Sequence, residues 1–150
     1  MSINKRTNGK DFIGVGVGGV IINNNNEILL LLRNVFPEKN LWSIPGGMVE
    51  FGEEIETALI REIEEELGAK VAIVQLLCVT NHILQSKKTH WVSPAFLVKI
   101  ISGNPLNREN KKHLDMKWFS LDKLPDNLAI PAISAINSYN KLYPLSPIVG

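Results

Sequence analysis

With 150 residues, 45% of them apolar and 21% charged, the chain has the composition of a globular domain that can bury its own core. A net charge of +1, with basic residues only in short mixed stretches at 86–90 and 108–112, gives no electrostatic footprint for a nucleic-acid polymer. One cysteine, Cys78, excludes an intrachain disulfide and a cysteine-based zinc cluster, and its apolar setting marks it as a small buried hydrophobe.

In chain order, residues 1–10 are polar and lack the apolar stretch of a signal peptide. The longest aliphatic run, 28–32, is too short to span a bilayer, so a cytoplasmic protein without membrane contact is expected. Small and branched residues alternate over 11–23 and predict a strand. A second strand over 27–33, EILLLLR, should be buried on both faces. The four asparagines between them predict a hairpin turn. Gly14, Gly16 and Gly19 match G-x-G-x-x-G, but strand-type sequence and a turn follow where a dinucleotide site needs a helix. After a loop at 35–40, LWSIPGG (41–47) reads as one short strand ending in a turn. Apolar periodicity predicts a helix over 55–67 with Gly68 as its stop.

Strands are expected over 70–80 and 91–101, with Pro94 at an edge or a bulge. A loop at 102–113, a short strand at 115–120, a proline-closed turn at 121–125 and a helix at 131–143 complete the chain. In the last helix Ile133, Ile136 and Tyr139 are taken as core contacts, and Trp42 and Trp118 as packing residues. No internal repeat or long linker divides residues 1–150, so one domain is expected, an α/β or α+β sandwich of strands and helices.

The helix 55–67 carries four glutamates and an arginine in REIEEELG. At 100° per residue, and with Glu62 at 0°, Glu66 falls at about +40° and Glu65 at about −60°, whereas Glu64 lies near 200°. Three carboxylates thus share one strip beside the apolar face of Ile60, Ile63 and Leu67, and Arg61 borders it. Like charges three or four residues apart repel by roughly 0.2–0.5 kcal/mol per pair. A solvated acidic face would normally alternate sign, yet Glu62 meets Glu66. A hard divalent cation takes oxygen ligands, usually one or two carboxylates with substrate phosphates, and would cancel this repulsion.

The stretch Gly47 to Ala69, GMVEFGEEIETALIREIEEELGA, resembles the Nudix box. All seven fixed places of that pattern are occupied: Gly47, Glu53, Arg61, Glu62, Glu65, Glu66 and Gly68. The flanks LLLLR, LWSIPGG and WFSLDKLPD extend the likeness over most of the chain. The resemblance implies an α/β/α sandwich with a mixed sheet, and an enzyme that uses water to cleave nucleoside diphosphates linked to another group. It implies that Glu62, Glu65 and Glu66 bind Mg²⁺ or Mn²⁺ with the Gly46 carbonyl. It also implies that Arg61 orients a box glutamate and that Glu53 supports the loop–helix geometry. Glu62 or Glu65 would serve as base; in some relatives a later loop supplies it, and Glu109 is then either that acid and a metal ligand or a solvated residue. The short chain and the EFGE lead-in look more like the MutT-like type acting on nucleoside triphosphates or modified forms than like ADP-ribose or nucleotide-sugar pyrophosphatases. Homodimers are common among relatives.

Outside the box, Arg33 is either a structural ion pair or a phosphate contact. His82, His90 and His113 show no metal spacing and read as loop or surface histidines. His90 with Trp91 could nonetheless line a substrate cleft, where an aromatic face stacks on a base. Gly46 and Gly47 would border the same cleft.

Overall fold

The computed structural model describes residues 5–144. Its elements, in order, are β1 (Gly14–Ile21), β2 (Glu27–Arg33), β3 (Trp42–Ser43), β4 (Gly46–Met48), α1 (Ile55–Leu67), β5 (Lys70–Leu84), β6 (Thr89–Ser102), β7 (His113–Ser120) and α2 (Ile130–Leu142).

The layering follows from the aliphatic run in β2. Successive strand side chains point to opposite faces. Leu29 and Leu31 therefore pack with Ala58, Leu59, Ile63 and Leu67 of α1, while Ile28 and Leu30 pack with Ala132, Ala135 and Ile136 of α2. All four β2 residues are essentially inaccessible. β1 divides in the same way, Val17 and Ile21 to one core and Val20 to the other. A helix thus covers each side of the strands, which is the expected α/β/α sandwich.

Two features differ from the sequence expectation. The asparagine turn does not close a β1–β2 ladder: the two strands share only an isolated bridge, Ile22 to Ile28. β1 belongs to a mixed sheet ordered β4-β1-β6-β5, parallel to β6, and β2 to a sheet ordered β3-β2-β7. The turn chemistry itself is as read, with Asn26 in the left-handed region and Asn23 Oδ1 accepting the backbone N–H groups of Asn25 and Glu27. LWSIPGG also splits, since β3 pairs with β2 and β4 with β1. Ile44 and Pro45 carry the chain from one sheet to the other, a crossing that local strand propensity does not encode.

The helix α1 has the predicted bounds, and Gly68 closes it at φ 69° with its N–H on Glu64 O. β5 and β6 extend past 80 and before 91, so His82 and His90 lie in strands rather than loops. Pro94 sits in β6, an interior strand, opposite Val79 and in a gap of the β1 ladder; nearby bulges fall on the partner β5. Trp42 packs edge-on against Phe119, with 4.8 Å between ring centroids. Trp118 joins the α1 core and Cys78, half-buried, the α2 core. Ile136 and Tyr139 are core contacts, but Ile133 is 44% exposed because it falls on the outer face of α2. Among the described residues no helix is long and apolar enough to cross a membrane.

Candidate active site

Arg61 organises the acidic strip. Its Nε and Nη2 donate to the two oxygens of Glu53 at 2.7 and 2.8 Å, and its Nη1 donates to Glu62 at 2.9 Å and Glu65 at 3.3 Å. Nη2 also reaches the Met48 carbonyl at 3.2 Å. The two-pronged contact with Glu53 ties the loop before α1 to the helix, using the planar fork that suits a carboxylate. Hydrogen bonding to Arg61 holds the Glu53 carboxyl down to about 2. The same bond, joined by Glu62, raises the Arg61 guanidinium further above its ordinary value.

The three strip carboxylates occupy different environments. Glu65 is half-exposed, Glu62 is largely covered, and Glu66 is 2% exposed. Burial pushes Glu62 upward against the pull of Arg61, and burial pushes Glu66 well above the usual carboxylate range. Glu66 Oε1 accepts the Gly46 N–H at 3.0 Å. Its Oε2 lies 3.2 Å from His113 Nε2 yet forms no hydrogen bond.

Gly47 sets the distance between the β4 turn and α1. A Cβ built on it would lie 2.3 Å from Cδ of Glu62. The obstructing atom ends a flexible side chain, so Gly47→Ala should displace that carboxylate rather than unfold the domain. Misplacement of about 1 Å at a reacting group costs about 100-fold. Gly47→Ala is therefore expected to lower kcat/KM by between about 10- and 100-fold with Tm little changed; full activity would separate Glu62 from the chemistry.

The 102–113 loop is pinned to the end of α1 by Leu106 N–H on Leu67 O and Arg108 N–H on Glu66 O, both 2.9 Å. This docking brings Glu109 close enough to raise the Glu66 carboxyl further, while Lys112 pairs with Glu109 at 3.1 Å. Among the described residues no three His, Cys, Asp or Glu side chains stand close enough to enclose a metal ion unaided. The donor set still suits a hard cation that completes its shell with water and phosphate. Glu66 offers a buried oxygen without a hydrogen-bond partner, and burial disfavours the charged form of both Glu62 and Glu66, a cost that a bound cation would offset.

A cleft of about 240 Å³ opens beside this strip, lined from both sheets. A family model for the NUDIX domain matches residues 13–139. The chain belongs to the Nudix family. It is similar to the crystal structure of a MutT NUDIX hydrolase from Burkholderia pseudomallei: 39% identity, TM-score 0.81, 85% of this chain and 98% of that one. It is 36% identical to an ADP-ribose pyrophosphatase of Methanocaldococcus jannaschii, over 74% of this chain and 64% of that protein. It is 30% identical to a putative 8-oxo-dGTP diphosphatase of Bacillus subtilis, over 71% of this chain and 66% of that protein. The chain thus spans less than two thirds of the archaeal relative's length.

Around this Nudix strip the structure gathers Arg33, Gly46, Gly47 and Trp91 into the cleft wall together with Glu66. Arg33 makes no ion pair among the described residues; its Nε is buried without a partner and its Nη2 reaches carbonyls only at 3.4 and 3.5 Å. His90 does not join Trp91. Adjacent strand residues face opposite ways, and His90 borders a separate depression beside Gly9–Ile13.

Two histidines read as loop or surface residues are instead buried in the site. His113 begins β7 against Glu66, and burial lowers it to about 4, so it is neutral near pH 7. His82 pairs with Glu38 at 2.8 Å, and both line the cleft. Neither pair has a sequence signal, because each joins residues on different elements; a strand boundary drawn to include His82 and His113 would have shown only their burial.

Proposed function

We propose that this Nudix domain hydrolyses the diphosphate linkage of a nucleoside diphosphate derivative, in first place a nucleoside triphosphate or modified nucleotide, to the monophosphate and pyrophosphate. The observation that carries the reading is the set of box carboxylates gathered on α1 and braced by the Arg61–Glu53 fork, with buried Glu66 lining a cleft that also presents an under-bonded arginine.

Nudix hydrolases generally use divalent metals. Glu62, Glu65 and Glu66 would hold Mg²⁺ or Mn²⁺ with the Gly46 carbonyl, and Glu109, whose charge acts on Glu66 from the docked loop, would join them. The bound ion would polarise the diphosphate and neutralise charge developing on its leaving oxygen. Arg33 supplies a fixed positive donor to the phosphates, and Gly46 N–H keeps Glu66 aimed at the cleft. Glu62 or Glu65 would take the proton from the attacking water, with Glu109 of the docked loop as the alternative base. Arg61 and Glu53 position Glu62. A cytoplasmic enzyme acting on free nucleotides, possible as a homodimer, belongs to the same reading.

ADP-ribose or a nucleotide sugar is the second substrate reading, favoured by the name of the archaeal relative. A screen with Mg²⁺ over nucleoside triphosphates, oxidised nucleotides, ADP-ribose and nucleotide sugars decides between them. Turnover of triphosphates to monophosphate and pyrophosphate supports the first reading and exclusive turnover of ADP-ribose the second. No turnover of any compound overturns both, in favour of a nucleotide-binding module.

A further inference from the structure

The proposed hydrolysis leaves one charged group of the cleft wall without a role. Glu38 lies in the loop after β2 and is 8% exposed, yet it lines the same cleft as Arg33 and Glu66. Its Oε1 meets His82 Nε2 of β5 at 2.8 Å, and its Oε2 accepts the Ile130 N–H at the start of α2 at 2.9 Å. A carboxylate offers about four acceptor sites; the Ile130 N–H takes one, and His82 Nε2, although close, makes no hydrogen bond, so most stay open. Burial pushes the carboxyl upward, but His82, the Ile130 N–H and Arg33 together bring it below its ordinary value, so it is an anion near neutral pH.

Anchoring the loop would need only a neutral acceptor for one backbone N–H. A buried charge beside a cleft costs several kcal/mol of desolvation that a neutral anchor avoids. Among the cleft-lining residues, Glu38 is the carboxylate other than Glu66. The surrounding wall suits a flat ring: Trp91, Pro37 and Pro94 border the cleft, and Phe36, 76% exposed, stands at its rim.

We propose that Glu38 is the specificity-determining residue of this cleft, its carboxylate accepting hydrogen bonds from two adjacent donors on the nucleoside half of the substrate. Two nucleoside groups have that chemistry: the ring N–H and amino group of a guanine-type base, and the cis-diol of ribose. The inference rests on the nucleotide reading above. A site built to hydrogen-bond a donor rejects an analogue lacking it, because its own buried acceptor is left unpaired.

The test compares kcat/KM for GTP, dGTP, ITP, ATP and dATP in the wild type and in Glu38→Gln, with binding of the matching monophosphates measured by calorimetry. The wild type is expected to favour the donor-bearing nucleoside by about 10-fold or more. Preference for GTP over ITP and ATP assigns the base, and ATP over dATP the ribose. Glu38→Gln should compress the preference to within about 2-fold, chiefly by loss on the preferred substrate. An equal loss on every substrate, with a lower Tm, would make Glu38 a loop anchor and overturn the proposal. So would a wild type indifferent to base and sugar in both assays. Preferential monophosphate binding without turnover of any triphosphate would count against the hydrolase reading alone.

Discussion

Glu66→Gln is expected to lower kcat/KM by about 100- to 1000-fold while the fold survives. The variant keeps an acceptor for the Gly46 N–H and removes a charge that burial has already pushed well above the usual carboxylate range. A carboxyl whose folded value is raised binds its proton more tightly in the native state. Its contribution is therefore full below the ordinary carboxylate range and is lost as pH rises through the raised folded value. Metal-free Glu66→Gln should thus be at least as stable as wild type at neutral pH. A divalent cation should raise the wild-type Tm by binding the native state, and should raise that of the variant much less. Equal Mg²⁺-induced shifts, or full activity, would remove Glu66 from the metal site.

Arg61→Gln is expected to lower kcat/KM by about 100-fold, because Glu62 loses the contact that orients it and the loop before α1 loses its two-pronged tie. It also carries a pH signature of opposite sign to that of Glu66. The Glu53 carboxyl is held at about 2 against an ordinary 4.5, so its stabilisation is present above pH 4.5 and lost as pH falls toward 2. Denaturant midpoints measured across that window should fall more steeply for wild type than for Arg61→Gln. Parallel curves would show that the Arg61–Glu53 pair does not stabilise the folded state. Because Glu62 and Glu65 share the same guanidinium, effects of Arg61→Gln and Glu62→Gln should be less than additive.

Much of the site was legible because it is local. Residues 61–68 lie in one helix, whose geometry separates Glu64 from Glu62, Glu65 and Glu66 before any fold is known. The different burial of those three was not legible. Glu66 is enclosed by the β4 turn, the docked 102–113 loop and His113, whereas Glu65 remains half-exposed one residue away. Arg33 shows the same division. Its position at the end of a buried strand pointed toward the cleft, but the sequence left ion pair and phosphate contact open, and only the surrounding structure shows that it has no carboxylate partner at contact distance among the described residues.

The sequence by itself determined the acidic strip, the helix that bears it and the strand buried on both faces, since each depends on spacing within one element, whereas the α/β/α layering was implied by the family resemblance. The tertiary structure alone decided that β1 and β2 join different sheets, that His113 backs Glu66, and that Glu38 faces the cleft with His82. Those outcomes depend on which buried polar groups meet once two sheets and two helices close over a common core. Short-range periodicity carries no information about such meetings.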